Sequence, residues 1–404
     1  MFKAFRSVLV ASLVVAIGFI GSSLVPAMGQ GSSLCIVFDI GGRGDLSFND
    51  MAALGGSQAA ADFGLNLVEQ QSATEADYLP NLRTLSETGE CALIVSVGFL
   101  LADATGLAAD EFPEQKFAII DGVVTDRDNV QSVVFEEHLG SALVGALAAL
   151  VNQRVAPEGS AGGVGVVLGI EIPILWRFEC GYKAGVRWVD NGFDNSVFDI
   201  SSPVANKSTP VPFVYTGSFN DPALGQSAAD AMLAQGTQII YNVAGLTGRG
   251  AITAVANQAR ALGRETGPPF AIGVDADQDY LEGGGFVLAS MMKRVDRGVF
   301  LAAQAVNDGT FTGGFNVLGL SNGGISVSTI DDFDTFLQLG VDAGEISADN
   351  STLLKGRAEA NRSLYIDEFA KVAELQALIA DGTVSITDAF AGQDVIDQCR
   401  LAYD

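Results

Sequence analysis

The chain has little of what hydrolases, zinc proteins and nucleic-acid binders are built from. Its 404 residues include one histidine, four cysteines and two tryptophans. Any Ser-His-Asp triad has to use the single histidine, His138, which stands beside Glu136 and Glu137 at an expected helix start and is read as structural. Cys35, Cys91, Cys180 and Cys399 include no C-x-x-C pair, which excludes zinc ribbons and thioredoxin-type redox sites. Positive charge is scarce: 22 Lys and Arg stand against 48 Asp and Glu, a formal net charge of −26. Such a chain repels nucleic acid and anionic membrane surfaces. Charged residues are still only 17% of the total and hydrophobic ones 48%, so the chain has the material for a large core and is not an acidic disordered segment.

The N-terminus carries an address. Lys3 and Arg6 precede an apolar run over about residues 8–20, and Ala27 and Gly29 occupy the −3 and −1 places of a cleavage after Gly29. Residues 1–29 read as a secretory signal peptide, giving an exported protein, periplasmic or associated with the cell surface. An uncleaved anchor is the competing reading, because the run is nearly long enough to span a bilayer. Glycine and serine pairs that break its distal end favour the signal peptide. SSLC (32–35) lacks the leucine three places before the cysteine that is usual in lipoproteins. Exported proteins can form disulfides. Cys35 and Cys91 each precede an apolar run, and neighbouring parallel strands would bring them close; four buried free thiols are the alternative.

Beyond residue 30, short apolar runs alternate with amphipathic helical stretches, the pattern of βαβ units. CIVFDI, LNLVEQ, ALIVSVG, KFAIIDG and NVQSVVF form one series. A helix over about 137–152 follows, and GGVGVVLGI, PFVYTGSF, QIIYNVAG, PFAIGVDAD and VLASMMK form a second series. The expected fold is α/β: two Rossmann-like lobes of parallel sheet flanked by helices, of periplasmic-binding-protein type, with a hinge between them and a ligand in the cleft. The loop QRVAPEGSAGG marks a boundary. Residues 30–154 plus about 290–330 are expected in the N-terminal lobe and 155–289 in the C-terminal lobe. The remainder, 331–404, is expected as an acidic, loop-like insert (331–362) and a closing helix over 366–380. Residues 195–212, rich in Ser and Pro, read as a surface excursion.

The most informative segment is DIGGRGDLSFND (39–50). A strand ends in Asp39, a glycine-rich turn follows, and Ser47-Phe48-Asn49 opens a helix. In parallel α/β sheets, ligands sit beyond the carboxyl ends of strands, against helix N-termini. A carboxylate, a ring and an amide at one such tip suit a flat, polar, uncharged ligand.

This segment and others make the chain similar to a known family. VSVGFL (95–100), FAIIDGV (117–123), FEEHLGSALVGALAAL (135–150), WRFECGYKAGV (176–186), YTGSFNDP (215–222), NVAGLTGRGA (242–251), IGVDADQ (272–278) and SMMKRVD (290–296) follow it in order. The series resembles the basic membrane protein family of ABC-transporter substrate-binding proteins, whose best understood members are purine nucleoside receptors. The resemblance implies a two-lobed fold, a nucleoside ligand and delivery to an ABC permease in the membrane. Carried over motif by motif, it implies ligand contacts by Asp39, Phe48, Asn49, Asp121, Phe178, Gly245, Asp275 and Lys293. It also implies that VAELQALIADGTVSI is the family's closing helix and strand. The middle of the first loop varies in the family, so Gly44 and Asp45 are assigned no role, and AGLTGRG is less glycine-rich than the family's loop.

Chemistry gives those residues definite tasks. Phe48 and Phe178 stack on a base, where one stacked base is worth about 1–3 kcal/mol. Asp121 and Asp275 accept hydrogen bonds from ribose hydroxyls, charge-assisted and about twice as strong as neutral ones. Asp39 and Asn49 address the base edge, and Lys293 bonds the sugar and offsets the carboxylates. Three carboxylates against one lysine repel phosphate, so a nucleoside suits the site better than its monophosphate.

Other patterns are weaker. Asp275, Asp277 and Asp279 imitate an EF-hand start, but Tyr280 stands where the glycine is required and Phe286 where the closing Glu is required. GLSNG (319–323) spells a nucleophile elbow, but a turn and strand are expected after Ser321 where an elbow needs a helix. No metal, cofactor or catalytic residue is expected, and the protein is expected to act as a monomer. The alternatives to a transport receptor are a ligand sensor that presents its loaded form to a membrane receptor, and a nucleoside-cleaving enzyme.

Overall fold

Strands buried on both faces read as continuous apolar runs, and those of the first series pair in one parallel sheet. A computed structural model describes residues 31–404 apart from Ser202; the segment read as a signal peptide lies outside the described residues. The first lobe runs β1 (Ser33–Phe38), α1 (Phe48–Phe63), β2 (Asn66–Gln70), α2 (Tyr78–Thr88), β3 (Cys91–Val97), α3 (Ala102–Glu111), β4 (Phe117–Ile120) and β5 (Val130–Phe135). The chain then crosses through α4 (Glu137–Val155) into β6 (Val164–Leu168), α5 (Pro173–Asp190), β7 (Phe213–Tyr215), α6 (Pro222–Ala234), β8 (Ile239–Val243), α7 (Gly245–Ala261), β9 (Phe270–Asp275) and β10 (Val287–Lys293). It returns through α8 (Val295–Asn307) to β11 (Gly314–Leu318) and crosses once more to β12 (Ile325–Val327). Four helices close the chain: α9 (Ile330–Asp342), α10 (Ser351–Leu364), α11 (Ile366–Ala380) and α12 (Gln393–Tyr403).

The two sheets have matching orders, β11-β5-β4-β3-β1-β2 and β12-β10-β9-β8-β6-β7. Each contains the doubly wound order 2-1-3-4-5 with one strand added beside the fifth. All pairs are parallel except β10 with β12. The three crossings lie side by side: the Glu136 amide donates to the Leu318 carbonyl at 3.0 Å, and the Arg294 amide to the Gly324 carbonyl at 2.9 Å.

The boundaries expected at 154 and 290 fall inside α4 and β10, and the elements themselves group differently. Helix α4 packs on α5 and on β10 and β12 of the second sheet. The approach is so close that a Cβ at Gly185 would overlap the Ala142 carbonyl. Helix α8 instead packs on α1 of the first lobe. The acidic segment is not a loop. Thr329 and Asp332 form a capping box, and Phe333, Phe336, Leu337 and Gly340 make a buried stripe along α9. Arg357 and Asn361 of α10 donate to the carbonyls of Gly283 and Gly285 in the second lobe. The strand implied at the end is not formed, since Val384–Ile386 runs without a ladder partner, and α12 follows instead. After Ser321 the chain turns into β12 without a helix.

All four cysteines are paired, so none is a free thiol. Cys35–Cys91 ties β1 to β3, and Cys180–Cys399 ties α12 to α5. Among the described residues no helix is long and apolar enough to cross a membrane.

Candidate functional site

Where the carboxyl ends of the two sheets face each other they enclose a cavity with about 600 Å³ of atom-free space, part of it open to solvent. Asp39, Phe48, Asn49, Asp121, Phe178, Gly245, Asp275 and Lys293 all line it. The first four come from the first lobe and the others from the second. Three helices begin at its wall, α1 at Phe48, α5 at Pro173 and α7 at Gly245.

The first loop is held by carboxylates. Asp39 Oδ1 accepts from the Gly41 amide at 2.9 Å and from Asn49 Nδ2 at 3.0 Å. A Cβ on Gly98, whose φ is +115°, would lie 2.7 Å from Asp39 Oδ2, so only glycine fits behind this carboxylate. Asp45, without an assigned role among the motif residues, lines the cavity and is 1% exposed. It accepts the amides of Ser47, Asn49 and Asp50 at 3.0, 2.9 and 3.1 Å, satisfying the free N–H groups that open α1. Nothing local in the sequence marks this role, because it appears only when the loop folds back on the helix. Phe99 and Phe219 also line the cavity. Both lie in motifs of the resemblance, VSVGFL and YTGSFNDP, but were given no task.

Lys293 ends β10 and is the cation of the site. Its ammonium lies 2.6 Å from Asp121 Oδ2 and 3.0 Å from Glu137 Oε1. The centroids of Phe48, Phe135 and Phe178 lie 5.3, 5.1 and 5.5 Å away. Burial disfavours the charge on Lys293, but Asp121, Glu137 and Asp275 outweigh it and raise the pKa, so the lysine stays protonated. Glu137 is fully buried; its other oxygen pairs with Arg177 at 3.0 Å, and Arg177 pairs with Asp388 at 2.6 Å. Glu137 belongs to the FEEHLGS motif, yet only the fold shows that it shares the lysine with Asp121. Asp275 Oδ2 accepts the Ser47 hydroxyl at 2.6 Å.

Burial raises the pKa of each carboxylate at the wall. Asp39 is pushed up to about 6, against the hydrogen bonds of Asn49, Gly41 and Gly42. Asp121 reaches about 7, with Lys293 pulling down and Glu137 and Asp275 pushing further up. Asp45 reaches about 7 through burial and the charge of Asp50. Asp275 is raised by burial against Lys293 and Ser47. Among the described residues, two buried acceptors at the wall, Asn49 Oδ1 and Asp121 Oδ1, find no hydrogen-bond partner. Left so, each costs about 1–3 kcal/mol. The cavity therefore favours a ligand that brings N–H and O–H donors and an apolar face. Among the described residues no group of His, Cys, Asp and Glu is arranged to hold a metal ion.

Two like-ordered α/β lobes with a polar cavity between their strand ends define a two-lobed solute-binding protein. The chain belongs to the PnrA-like family of ABC transporter substrate-binding proteins, whose family model matches residues 33–355. An uncharacterized lipoprotein of Pyrococcus furiosus is 31% identical over 375 residues, covering 92% of this chain and 89% of that protein. The ABC transporter nucleoside-binding protein BmpA of Lactococcus lactis subsp. cremoris is 33% identical over 308 residues, 72% of this chain and 80% of that one. A crystallised ABC transporter solute-binding protein of Aeropyrum pernix K1 superposes with a TM-score of 0.82 at 34% identity, covering 92% of this chain and 98% of the other.

Proposed function

We propose that this chain is an exported receptor that captures a nucleoside, above all a purine nucleoside, between its lobes and presents it to an ABC permease. The observation that carries the reading is the pairing of two aromatic rings, Phe48 and Phe178, with the partnerless acceptors Asn49 Oδ1 and Asp121 Oδ1 in one cavity. A base offers two π-faces and N–H groups, and a ribose offers hydroxyl donors. The L. lactis relative named as nucleoside-binding supports the same class of ligand. Asp39, Asp45, Asp121 and Asp275 against Lys293 make the cavity unfavourable for phosphate.

Capture, not cleavage, is the proposed act. The single histidine, His138, does not line the cavity. Export accords with two disulfides. Lipid attachment, which the name of the P. furiosus relative indicates for that protein, is not open to Cys35 here, because its sulfur is bonded to Cys91.

Mass spectrometry of ligand carried through purification, followed by calorimetry with inosine, guanosine, adenosine and their monophosphates, tests the proposal. At least one nucleoside should bind with micromolar or tighter affinity, and its monophosphate far more weakly. Equal affinity for a nucleoside and its monophosphate would overturn the charge argument. Release of free base from inosine would overturn the assignment as a receptor.

A further inference from the structure

The first loop, residues 40–47, is gripped from the opposite lobe by its backbone. Asn220 Nδ2 donates to the Ile40 carbonyl at 3.0 Å, Arg249 Nη1 to the Gly44 carbonyl at 3.3 Å, and Gln278 Nε2 to the Leu46 carbonyl at 3.1 Å. The three donors come from three separate places in the second lobe: the turn before α6, helix α7 and the loop after β9. None of them lines the cavity. Each is itself held. The Asn220 Oδ1 is 3.0 Å from the Ser218 hydroxyl, Arg249 pairs with Glu345 at 2.9 Å, and the Gln278 Oε1 accepts the Val274 amide at 3.1 Å. Gln278 is fully buried. The gripped loop and its flanks carry Asp39, Asp45, Phe48 and Asn49, half of the cavity's polar wall and one of its rings.

We infer that Asn220, Arg249 and Gln278 are positioning residues that read the main chain of the first loop and thereby set the fraction of molecules whose site is assembled. The inference rests on the reading of this cavity as the ligand site. A protein whose competent conformation is only partly populated binds every ligand more weakly by that same fraction. Carbonyl oxygens are indifferent to ligand identity, so the grip acts on affinity and not on selectivity. It acts without ligand as well, because none of these hydrogen bonds passes through the cavity.

Asn220→Asp tests this with little risk to folding: the residue is exposed, the change is isosteric, and it replaces the donor that faces the Ile40 carbonyl with a negatively charged acceptor that opposes it. Gln278→Met is the buried counterpart. Spin labels on Leu107→Cys in α3 and Leu262→Cys after α7, both exposed, report the separation of the lobes, and the native cysteines are already paired. Without ligand, the parent protein should show a short-distance population that both variants reduce. Affinity should fall roughly three- to tenfold for each variant, the worth of one hydrogen bond, and by the same factor for every nucleoside tested. Unchanged distances and affinities, with only a lower melting temperature, would overturn the inference and leave these residues as structural. A change in the ranking of nucleosides would also overturn it, by showing direct ligand contact. If the parent binds no nucleoside at all, the proposed function fails, while the ligand-free distances still decide whether the grip exists.

Discussion

Asp121 and Asp275 hold the same place in the two lobes, and each finds its partner in the other lobe. Asp121 follows β4, Asp275 ends β9, and these strands occupy equivalent positions in the two sheets. Their φ angles are 68° and 66°, a left-handed conformation that aspartate tolerates better than most residues. Asp121 of the first lobe pairs with Lys293 of the second; Asp275 of the second accepts from Ser47 of the first.

Replacing either aspartate by alanine should weaken nucleoside binding by roughly 1.5–3 kcal/mol, the worth of a hydrogen bond to a charged group. Free bases should lose less, because they lack the sugar. Titrating each variant with a riboside and its base measures both. Unchanged ratios would mean that these carboxylates do not read the ribose.

The two rings should behave differently. Phe48 is half-buried at the start of α1, so Phe48→Ala should cost about 1–3 kcal/mol of affinity with little change in melting temperature. Phe178 is 3% exposed within α5 and lies 6.5 Å from the Tyr241 ring, so Phe178→Ala should also destabilise the fold, by about 3–5 kcal/mol. Paired melts and titrations separate the two roles. A large stability loss from Phe48→Ala with affinity intact would make it a core residue.

Acidification should act in opposite directions on stability and on binding. Asp39 at about 6 and Asp121 at about 7 keep protons in the fold that the unfolded chain has released. Between about pH 4 and pH 7 their contribution to the stability of the free protein therefore falls as pH rises. A ligand donating to these carboxylates favours their ionised form, so its binding releases protons and weakens below about pH 7 through Asp121 and further below about pH 6 through Asp39, by at most about tenfold per unit for each carboxylate. Calorimetry in buffers of different ionisation enthalpy, with affinities at several pH values, checks this. Proton uptake on binding would contradict the assignment of these groups as acceptors.

Removing the Cys180–Cys399 bond by replacing both residues with alanine should cost about 2–5 kcal/mol of stability. Helix α12 gives no residue to the cavity, so nucleoside affinity should be unchanged. A melt in the presence and absence of reductant, beside one titration, measures both effects.

The parallel strands were legible because runs such as CIVF and FAII are apolar on both faces and end at glycine or aspartate. The cavity-lining residues were legible through the motifs that carry them, since strand-end loops are short and contiguous. Composition hid α9: its acidic residues drew the reading toward a loop, although Phe333, Phe336, Leu337 and Gly340 recur with helical spacing. Helix α12 hid its stripe in the same way, with Ile396, Cys399, Ala402 and Tyr403 on the buried side. Asp45, Glu137 and Gln278 act across turns or between lobes, and contacts made by the finished fold leave no local trace.

The three adjacent crossings beside Glu136, Arg294 and Gly319 have a mechanical consequence. A body fastened at one point can swing about any axis, whereas a row of fastenings behaves like a piano hinge and leaves a single swing about its own line. A swing about that line would open the cavity on the side away from it, with the width of the opening set by a single angular coordinate.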